Sequence, residues 1–129
     1  MTGKQKILVL EDDQYTRDIY HDVLTEAGFE VTTAVDGEEG LVKIKEGGYN
    51  LILLDMMMPK LDGLGVLAAL KENPPKVSNG PIILLTNLAH DPVINKAVAL
   101  GAKSYLIKSD LNPDQLVAKV KEALKSPAS

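Results

Sequence analysis

Short apolar runs return at regular intervals along the chain, and this pattern constrains the fold more than any other feature. Three of the runs are apolar without alternation, as expected for parallel strands that helices cover on both faces. The second run alternates more, which predicts an edge strand. The predicted strands are Lys6 to Leu10, Glu30 to Val35, Asn50 to Asp55, Pro81 to Thr86 and Ser104 to Lys108.

Helix signals fill the intervals between these runs. Asp36 with Glu39 has the spacing of a capping box that begins a helix, and Asn112 repeats this pattern near the C-terminus. Glycine and proline mark the helix ends, because proline cannot continue a helix and glycine readily follows one. The predicted helices run from Gln14 to Ala27, from Asp36 to Gly47, from Gly63 to Glu72, from Asp91 to Gly101 and from Asn112 onwards. Their predicted inward-facing residues are Ile19, Val23, Leu24, Ala27, Ile94, Ala97, Val98, Leu116, Val117, Val120 and Leu124.

This alternation predicts an α/β fold. Five strands that alternate with five helices imply right-handed crossovers between parallel strands. We therefore predict a doubly wound five-stranded parallel sheet of the flavodoxin-like type, for which 2-1-3-4-5 is a common strand order. A length of 129 residues fits one domain, which we assign to residues 1–125. Residues 126–129 are predicted to form a disordered tail or the start of a linker.

Composition argues against several classes of function. The net charge is −4 and the basic residues are scattered among acidic ones, which disfavours nucleic acid as a partner and favours proteins or cations. The sequence has no cysteine, which excludes a disulfide framework and a thiolate metal site. The apolar run near the N-terminus is too short for a signal peptide or a membrane span. We therefore expect no membrane association and a cytoplasmic location.

Polar residues follow the predicted strands at their carboxyl ends, where ligands of such sheets bind. Carboxylates from the neighbouring first and third strands would meet there, and their repulsion would raise a pKa unless a cation lies between them. Oxygen ligands of this kind suit Mg²⁺. Burying Asp55 costs several kcal/mol unless it is paired, which favours a functional role, whereas Asp12 or Asp13 could instead cap the first helix. The residues at the strand ends are Glu11, Asp12, Asp13, Asp55, Thr86 and Lys108.

Four stretches of the sequence carry a family resemblance. They are the acidic pair in LVLEDD, the stretch LLDMMMPKLDG, the threonine in LLTN and the lysine in AKSYLIKSD. In this order and at these spacings, within a pattern of five strands, they resemble the receiver domain of two-component response regulators. The resemblance covers nearly the whole chain and implies phosphorelay signal transduction.

The resemblance implies that Asp55 accepts a phosphoryl group from a histidine kinase or a phosphotransfer protein. Asp12 and Asp13 would bind Mg²⁺ together with Asp55, and the backbone carbonyl of Met57 would be a further ligand. An aspartate carboxylate is a competent nucleophile, and Mg²⁺ neutralises charge on the transferring oxygens. The protein would then be a phosphorylation-controlled signalling module and not an enzyme, although it would assist its own phosphorylation and dephosphorylation.

The same resemblance implies a switch. Lys108 would pair with one phosphoryl oxygen, and the hydroxyl of Thr86 would reach another. Tyr105 matches the aromatic residue that turns inward in this family when the threonine moves, although a tyrosine packed statically with its hydroxyl at the solvent is the alternative. The face formed by the fourth helix, the fifth strand and the fifth helix would then control a downstream protein target. We expect a monomer or a weak, phosphorylation-dependent dimer.

Two residues depart from the family pattern and are expected to tune the site. Ser109 follows Lys108, where the family usually has a proline joined through a cis peptide. A cis bond costs about 2.5–4 kcal/mol before a residue other than proline, so we predict a trans bond. Asn87 follows Thr86, where the family usually has a small residue. With Met57 across from it, the Asn87 amide is expected to obstruct the attacking water and to slow self-dephosphorylation.

Other classes of function fit the sequence less well. A phosphatase of the haloacid-dehalogenase type also uses an aspartate at a strand end with Mg²⁺, but its second carboxylate is missing from DMMM. A flavin or nucleotide carrier would need a Gly- or Thr-rich phosphate loop after the first strand. A degenerate receiver that serves as a scaffold stays open. The end of the chain soon after the fifth helix favours a free-standing module, although KSPAS could equally begin a linker. Met58 is predicted to pack inward, and Met56 and Met57 to border the site.

Overall fold

The strands form one parallel sheet in the order β2-β1-β3-β4-β5. A computed structural model describes residues 3–87 and 91–125. The predicted fold class and strand order are confirmed, and β2 lies at an edge as its alternating pattern predicted. Each strand lies within one residue of its predicted range. The strands are β1 Lys6–Leu10, β2 Glu30–Ala34, β3 Leu51–Asp55, β4 Ile82–Thr86 and β5 Ser104–Ile107.

Helices connect consecutive strands and follow the last one. The predicted helix positions are confirmed, with two differences at the fourth and fifth connections. The fourth helix already includes Asp91, which had been predicted as its cap, and residues 88–90 lie outside the described residues. A short 3₁₀ turn, Lys108–Asp110, separates β5 from the last helix. The helices are α1 Gln14–Glu26, α2 Gly37–Glu46, α3 Gly63–Glu72, α4 Asp91–Ala99 and α5 Pro113–Lys125.

Side chains cap the helix ends where the spacing predicted. The Gln115 backbone N–H donates to Asn112 Oδ1 at 2.8 Å, and the Asn112 N–H donates back to Gln115 Oε1 at 2.9 Å. This reciprocal pair is a complete capping box, which satisfies two N–H groups that the first turn of α5 leaves unpaired. At α2, Asp36 accepts from the Glu39 N–H, but the Glu39 carboxylate accepts from the Val35 N–H instead of the Asp36 N–H.

Two apolar clusters cover the two faces of the sheet. Residues of β3 alternate between them, so that Ile52 and Leu54 face one cluster while Leu51 and Leu53 face the other. This explains why the run at β3 is unbroken: both faces of the strand are buried. Leu116 and Val120 of α5 are also buried, as predicted. Helix α1 adds Tyr20 to the second cluster, an inward residue that the aliphatic spacing had not identified.

Two predictions about side-chain burial are wrong. Val98 was expected to face inward, but it is 50% exposed, because α4 turns only Ile94 and Ala97 fully toward the core. Met56 was expected to border the site, but it packs into the first cluster with Met58, which is buried as predicted. The predicted tail, residues 126–129, lies outside the described residues.

The sheet topology determines where a site can form. The chain leaves β1 toward β2 on one side and later returns as β3 on the other side of β1. Leu10 pairs with Leu54, so the residues that follow these two strands emerge next to each other. A crevice forms where consecutive connections diverge to opposite sides of a sheet. This is the edge at which the polar residues of the sequence gather.

The central strand should dominate stability. Leu53→Ala removes a fully buried side chain between β1 and β4 and is expected to lower the free energy of unfolding by about 2–5 kcal/mol. Val42→Ala, on α2, removes a side chain that is 62% exposed and is expected to change it by less than about 0.5 kcal/mol. Urea unfolding followed by circular dichroism measures both changes. Equal losses in the two variants would contradict this prediction.

Candidate functional site

Three carboxylates converge where β1 and β3 end. Glu11, Asp12 and Asp55 each offer an oxygen atom, and these atoms all lie within 4.8 Å of one another. Glu11 and Asp55 are buried, whereas Asp12 is exposed. Carboxylate oxygens are the ligands that hard cations such as Mg²⁺ prefer. The donor set therefore fits Mg²⁺.

A single ammonium group bridges the two buried carboxylates. Lys108 Nζ lies 2.7 Å from Glu11 Oε1 and 3.2 Å from Asp55 Oδ2. Lys108 is the first residue of the 3₁₀ turn after β5, and its side chain reaches across the end of the sheet. The ends of β1, β3 and β5 are thereby joined by one ion cluster.

The ionisation of Asp55 is perturbed by this environment. Burial, followed by the negative charge of Glu11, raises the pKa of Asp55 to about 7, although Lys108 acts in the opposite direction. Burial tends to lower the pKa of Lys108, but its hydrogen bonds and ion pairs with Glu11 and Asp55 raise that pKa overall. One ammonium therefore does not compensate two buried carboxylates, and a further cation would favour the ionised form of Asp55.

Asp13 has a different partner from its neighbours. Its Oδ2 accepts hydrogen bonds from the Thr16 N–H at 2.8 Å and from the Thr16 hydroxyl at 2.7 Å. The hydroxyl and then the backbone bond hold the pKa of Asp13 below its usual value. Asp13 is thus the cap of α1, the role that the sequence left open for Asp12 or Asp13. It is not part of the carboxylate group found among residues 3–87 and 91–125, and its role as a metal ligand stays a prediction.

Glu11 belongs to the carboxylate group, although it had been predicted only as a residue at a strand end and not as a metal ligand. It is the residue directly after β1. Its backbone N–H donates to Ala34 O at 3.1 Å, which extends the hydrogen bonding between β1 and β2 by one residue. Its Oε2 also accepts from the Asp13 N–H at 3.1 Å. The available sequence signal was its position as the first acid after a fully apolar run, since that residue lies nearest to the sheet.

The loop after β3 is closed by its own backbone. The Gly63 N–H donates to Met56 O at 2.9 Å, and the Asp62 carboxylate caps α3 through the Gly65 N–H at 2.8 Å. The Met57 side chain is exposed, and its backbone N–H lies 3.4 Å from Asp55 Oδ1. The predicted role of the Met57 carbonyl as a metal ligand stays a prediction.

The remaining predicted residues lie on β4, β5 and just after them. Thr86 is buried at the end of β4, in register with Ile107, and Asn87 follows it with an exposed side chain. Tyr105 on β5 is 44% exposed. The described residues contain no cis peptide bond, which confirms the predicted trans bond between Lys108 and Ser109. The roles predicted for these side chains in switching and tuning stay predictions.

The chain matches known proteins over nearly its whole length. A family model described as "Response regulator receiver domain" matches residues 7–121. A "Probable transcriptional regulator ycf27" of Porphyridium aerugineum is 40% identical over 95% of this chain and 49% of its own length. A "Probable chemotaxis protein CheY" of Rhizobium etli is 36% identical over 81% of both chains. The chain thus spans about half the length of the first of these relatives.

Solved structures match in fold as well as in sequence. The receiver domain of the Francisella response regulator 1452 superposes with a TM-score of 0.82 at 30% identity, over 95% of this chain and 98% of the other. A CheY-like receiver domain protein of Methanospirillum hungatei gives a TM-score of 0.83 at 30% identity, over 95% and 94% of the two chains. Separately, none of the described helices is long and apolar enough to cross a membrane.

The raised pKa of Asp55 predicts a pH-dependent effect of its replacement. The unfolded chain binds this proton with a pKa of about 3.9, whereas the folded protein binds it with a pKa of about 7. The proton therefore contributes stability below pH ~3.9, and this contribution is lost as the pH rises through about 7. In metal-free protein, Asp55→Asn should raise the melting temperature relative to wild type increasingly between pH 5 and pH 8.

Thermal unfolding in the presence of a chelator measures this difference. Asp18→Asn, at an exposed position on α1, makes the same chemical change away from the ion cluster. Its melting temperature should follow that of the wild type across this pH range. A difference for Asp55→Asn that is constant or shrinks as the pH rises would contradict the prediction.

Proposed function

The chain belongs to the response regulator receiver domain family, and from this premise we propose that Asp55 is its phosphoacceptor. Receiver domains are signalling proteins that interact with histidine kinases and with downstream effectors, and the curated relatives are named as transcriptional regulators or as a chemotaxis protein. In this proposal a histidine kinase or a phosphotransfer protein supplies the phosphoryl group. A downstream protein target responds to it.

One observation carries the proposal: a buried aspartate lies beside a lysine and within reach of two further carboxylates. A purely structural cluster would be expected to balance its charges, because unpaired buried charge costs several kcal/mol. Here the negative charge is in excess, and the pKa of Asp55 is raised by burial and by Glu11. Such perturbed groups in a crevice are characteristic of functional sites.

The chemistry follows from the contacts of Asp55. A carboxylate oxygen of Asp55 attacks the phosphorus atom, a new O–P bond forms, and the P–N bond to the donor imidazole breaks. The imidazole leaves with the electron pair of that bond. Lys108 Nζ, at 3.2 Å from Asp55 Oδ2, then pairs with an oxygen of the phosphoryl group. The product is an acyl phosphate on Asp55.

Glu11, Asp12 and Asp55 would hold Mg²⁺ in this proposal, with Asp13 and the Met57 carbonyl as further predicted ligands. When bound, the ion supplies positive charge against the oxygens of the transferring group. The support is the all-oxygen group of three carboxylates and the uncompensated charge around Asp55.

In the proposed switch, residues of β4 and β5 respond to the phosphoryl group on Asp55. The Thr86 hydroxyl would bind a phosphoryl oxygen, and Tyr105 would turn inward from its 44% exposed position on β5. Phosphorylation would thereby favour one of two arrangements of the α4, β5 and α5 face, to which the target binds. A cytoplasmic location, the absence of nucleic acid and membrane partners, and a monomer or weak phosphorylation-dependent dimer stay predictions.

Phosphoryl transfer to Asp55 is directly testable. Incubation with Mg²⁺ and acetyl phosphate should add one phosphoryl group, which intact mass spectrometry detects. Asp55→Asn should abolish the added mass, because an amide is not a competent nucleophile, and Asp18→Asn should retain it. No added mass with acetyl phosphate or any other donor, together with no binding of Mg²⁺, would overturn the proposal and leave a scaffold role. The haloacid-dehalogenase alternative is disfavoured because Met57 occupies the position of its second acid.

Asn87 provides a test of the rate at which the acyl phosphate is lost. Asn87 follows Thr86 at the end of β4 and is exposed, and in this proposal its amide hinders an attacking water. Asn87→Ala should therefore shorten the lifetime of the phosphorylated protein, measured by intact mass after removal of the donor. Asn73→Ala, at the C-terminal cap of α3, is the matched control and should leave the lifetime unchanged. An unchanged or longer lifetime in Asn87→Ala would refute the role of this amide.

A further inference from the structure

The backbone of the acidic turn between β1 and α1 is held by the only arginine in the sequence. Arg17 Nη1 donates to the carbonyl oxygen of Glu11 at 2.9 Å and to that of Asp12 at 3.2 Å. The Arg17 side chain is half-buried, and its own backbone N–H donates to Asp13 O at 2.8 Å, which is the first bond of α1. One side chain therefore contacts the main chain of two of the three grouped carboxylate residues.

Arg17 donates to backbone carbonyl oxygens and not to the neighbouring carboxylates. Arg17 follows three acidic residues in the sequence, yet among the described residues it forms no ion pair within 4.0 Å. Its guanidinium is directed to carbonyl oxygens instead, while the Glu11 carboxylate is bonded to Lys108 and to the Asp13 N–H. Charge neutralisation alone would favour a direct ion pair, whereas two hydrogen bonds to successive carbonyls fix the path of the turn.

Helix stability does not explain a cation at this position. The N-terminal end of a helix carries a partial positive charge, which disfavours a cation there. A lysine would provide the same charge, but only a guanidinium offers several N–H donors in a rigid, planar arrangement. Both bonds to the acidic turn come from one nitrogen of that plane, Nη1, whose N–H groups the plane holds in a fixed direction.

We propose that Arg17 is a positioning residue for the divalent-cation site. By holding the backbone of Glu11 and Asp12, it keeps their carboxylates grouped with Asp55 in the geometry that binds Mg²⁺. This inference rests on the proposed function of that site. Groups that orient the ligands of a metal typically change its affinity by 10–100-fold when they are removed.

The sign of the effect separates positioning from electrostatics. Arg17→Gln removes a positive charge next to an acidic site, which by Coulomb attraction alone should tighten the binding of Mg²⁺. Loss of positioning should weaken it. A role in folding alone should lower the melting temperature and leave the affinity for Mg²⁺ unchanged.

Calorimetric titration of the metal-free protein with Mg²⁺ tests the inference. Arg17→Gln should weaken binding by about tenfold, and Arg17→Lys should also weaken it, because the shorter lysine side chain lacks the rigid guanidinium plane that directs both N–H groups of Nη1. Lys45→Gln makes the same change of charge at an exposed position in the last turn of α2 and should bind like the wild type. Circular dichroism verifies folding, and Arg17→Lys carries the test if Arg17→Gln does not fold.

The rate of phosphorylation gives a second readout. If Arg17 acts on cation binding, Arg17→Gln should need about tenfold more Mg²⁺ for its half-maximal rate with acetyl phosphate but reach the wild-type rate at saturation. Unchanged or tighter binding of Mg²⁺ in the folded variants, with a wild type that binds Mg²⁺ and accepts the phosphoryl group, would overturn this inference alone. A wild type that does neither would overturn the proposed function as well.

Discussion

Burial of β3 along its whole length confines the charged residue of this strand to its end. Apolar side chains cover both faces of the strand, and an unpaired charge among them would cost several kcal/mol. Asp55 lies where β3 leaves the core, beside the ends of β1 and β4. Lys108 then joins Asp55 to Glu11 through contacts of 3.2 and 2.7 Å. The same burial that stabilises the sheet thus assembles the ion cluster.

The charges of the ion cluster are not balanced, and this imbalance supports the chemical role proposed for it. Two buried carboxylates share one ammonium, and Asp12 adds a third carboxylate nearby. Burial and the charge of Glu11 therefore raise the pKa of Asp55. A hard cation at the group would relieve the repulsion, and phosphoryl chemistry on Asp55 would use the same cation and Lys108 to oppose the charge of the transferring oxygens. Arg17 contributes to this arrangement through the backbone and not through its charge.

Much of the fold was predictable because the signals are local. An unbroken apolar run requires a strand covered on both faces, and the spacing of Asn112 and Gln115 produced the capping box that the structure contains. The sequence was less reliable in predicting which side chains of a helix face the core. Val98 fits the apolar spacing of α4 but is half exposed, because α4 turns only Ile94 and Ala97 fully toward the core. Tyr20 was missed because aliphatic spacing alone identified the inward face of α1.

The sequence by itself determined that acids, a threonine and a lysine follow buried parallel strands, because the carboxyl ends of such strands share one edge. It also determined the trans bond before Ser109, since a cis bond there is costly. Only the tertiary structure decided that Glu11 and Asp12, of the three consecutive acids, are grouped with Asp55. Glu11 continues the direction of β1 and meets Lys108, whereas Asp13 is taken by the Thr16 N–H and hydroxyl at the start of α1. The reason is that successive side chains in a turn point in different directions, and their partners come from distant parts of the chain.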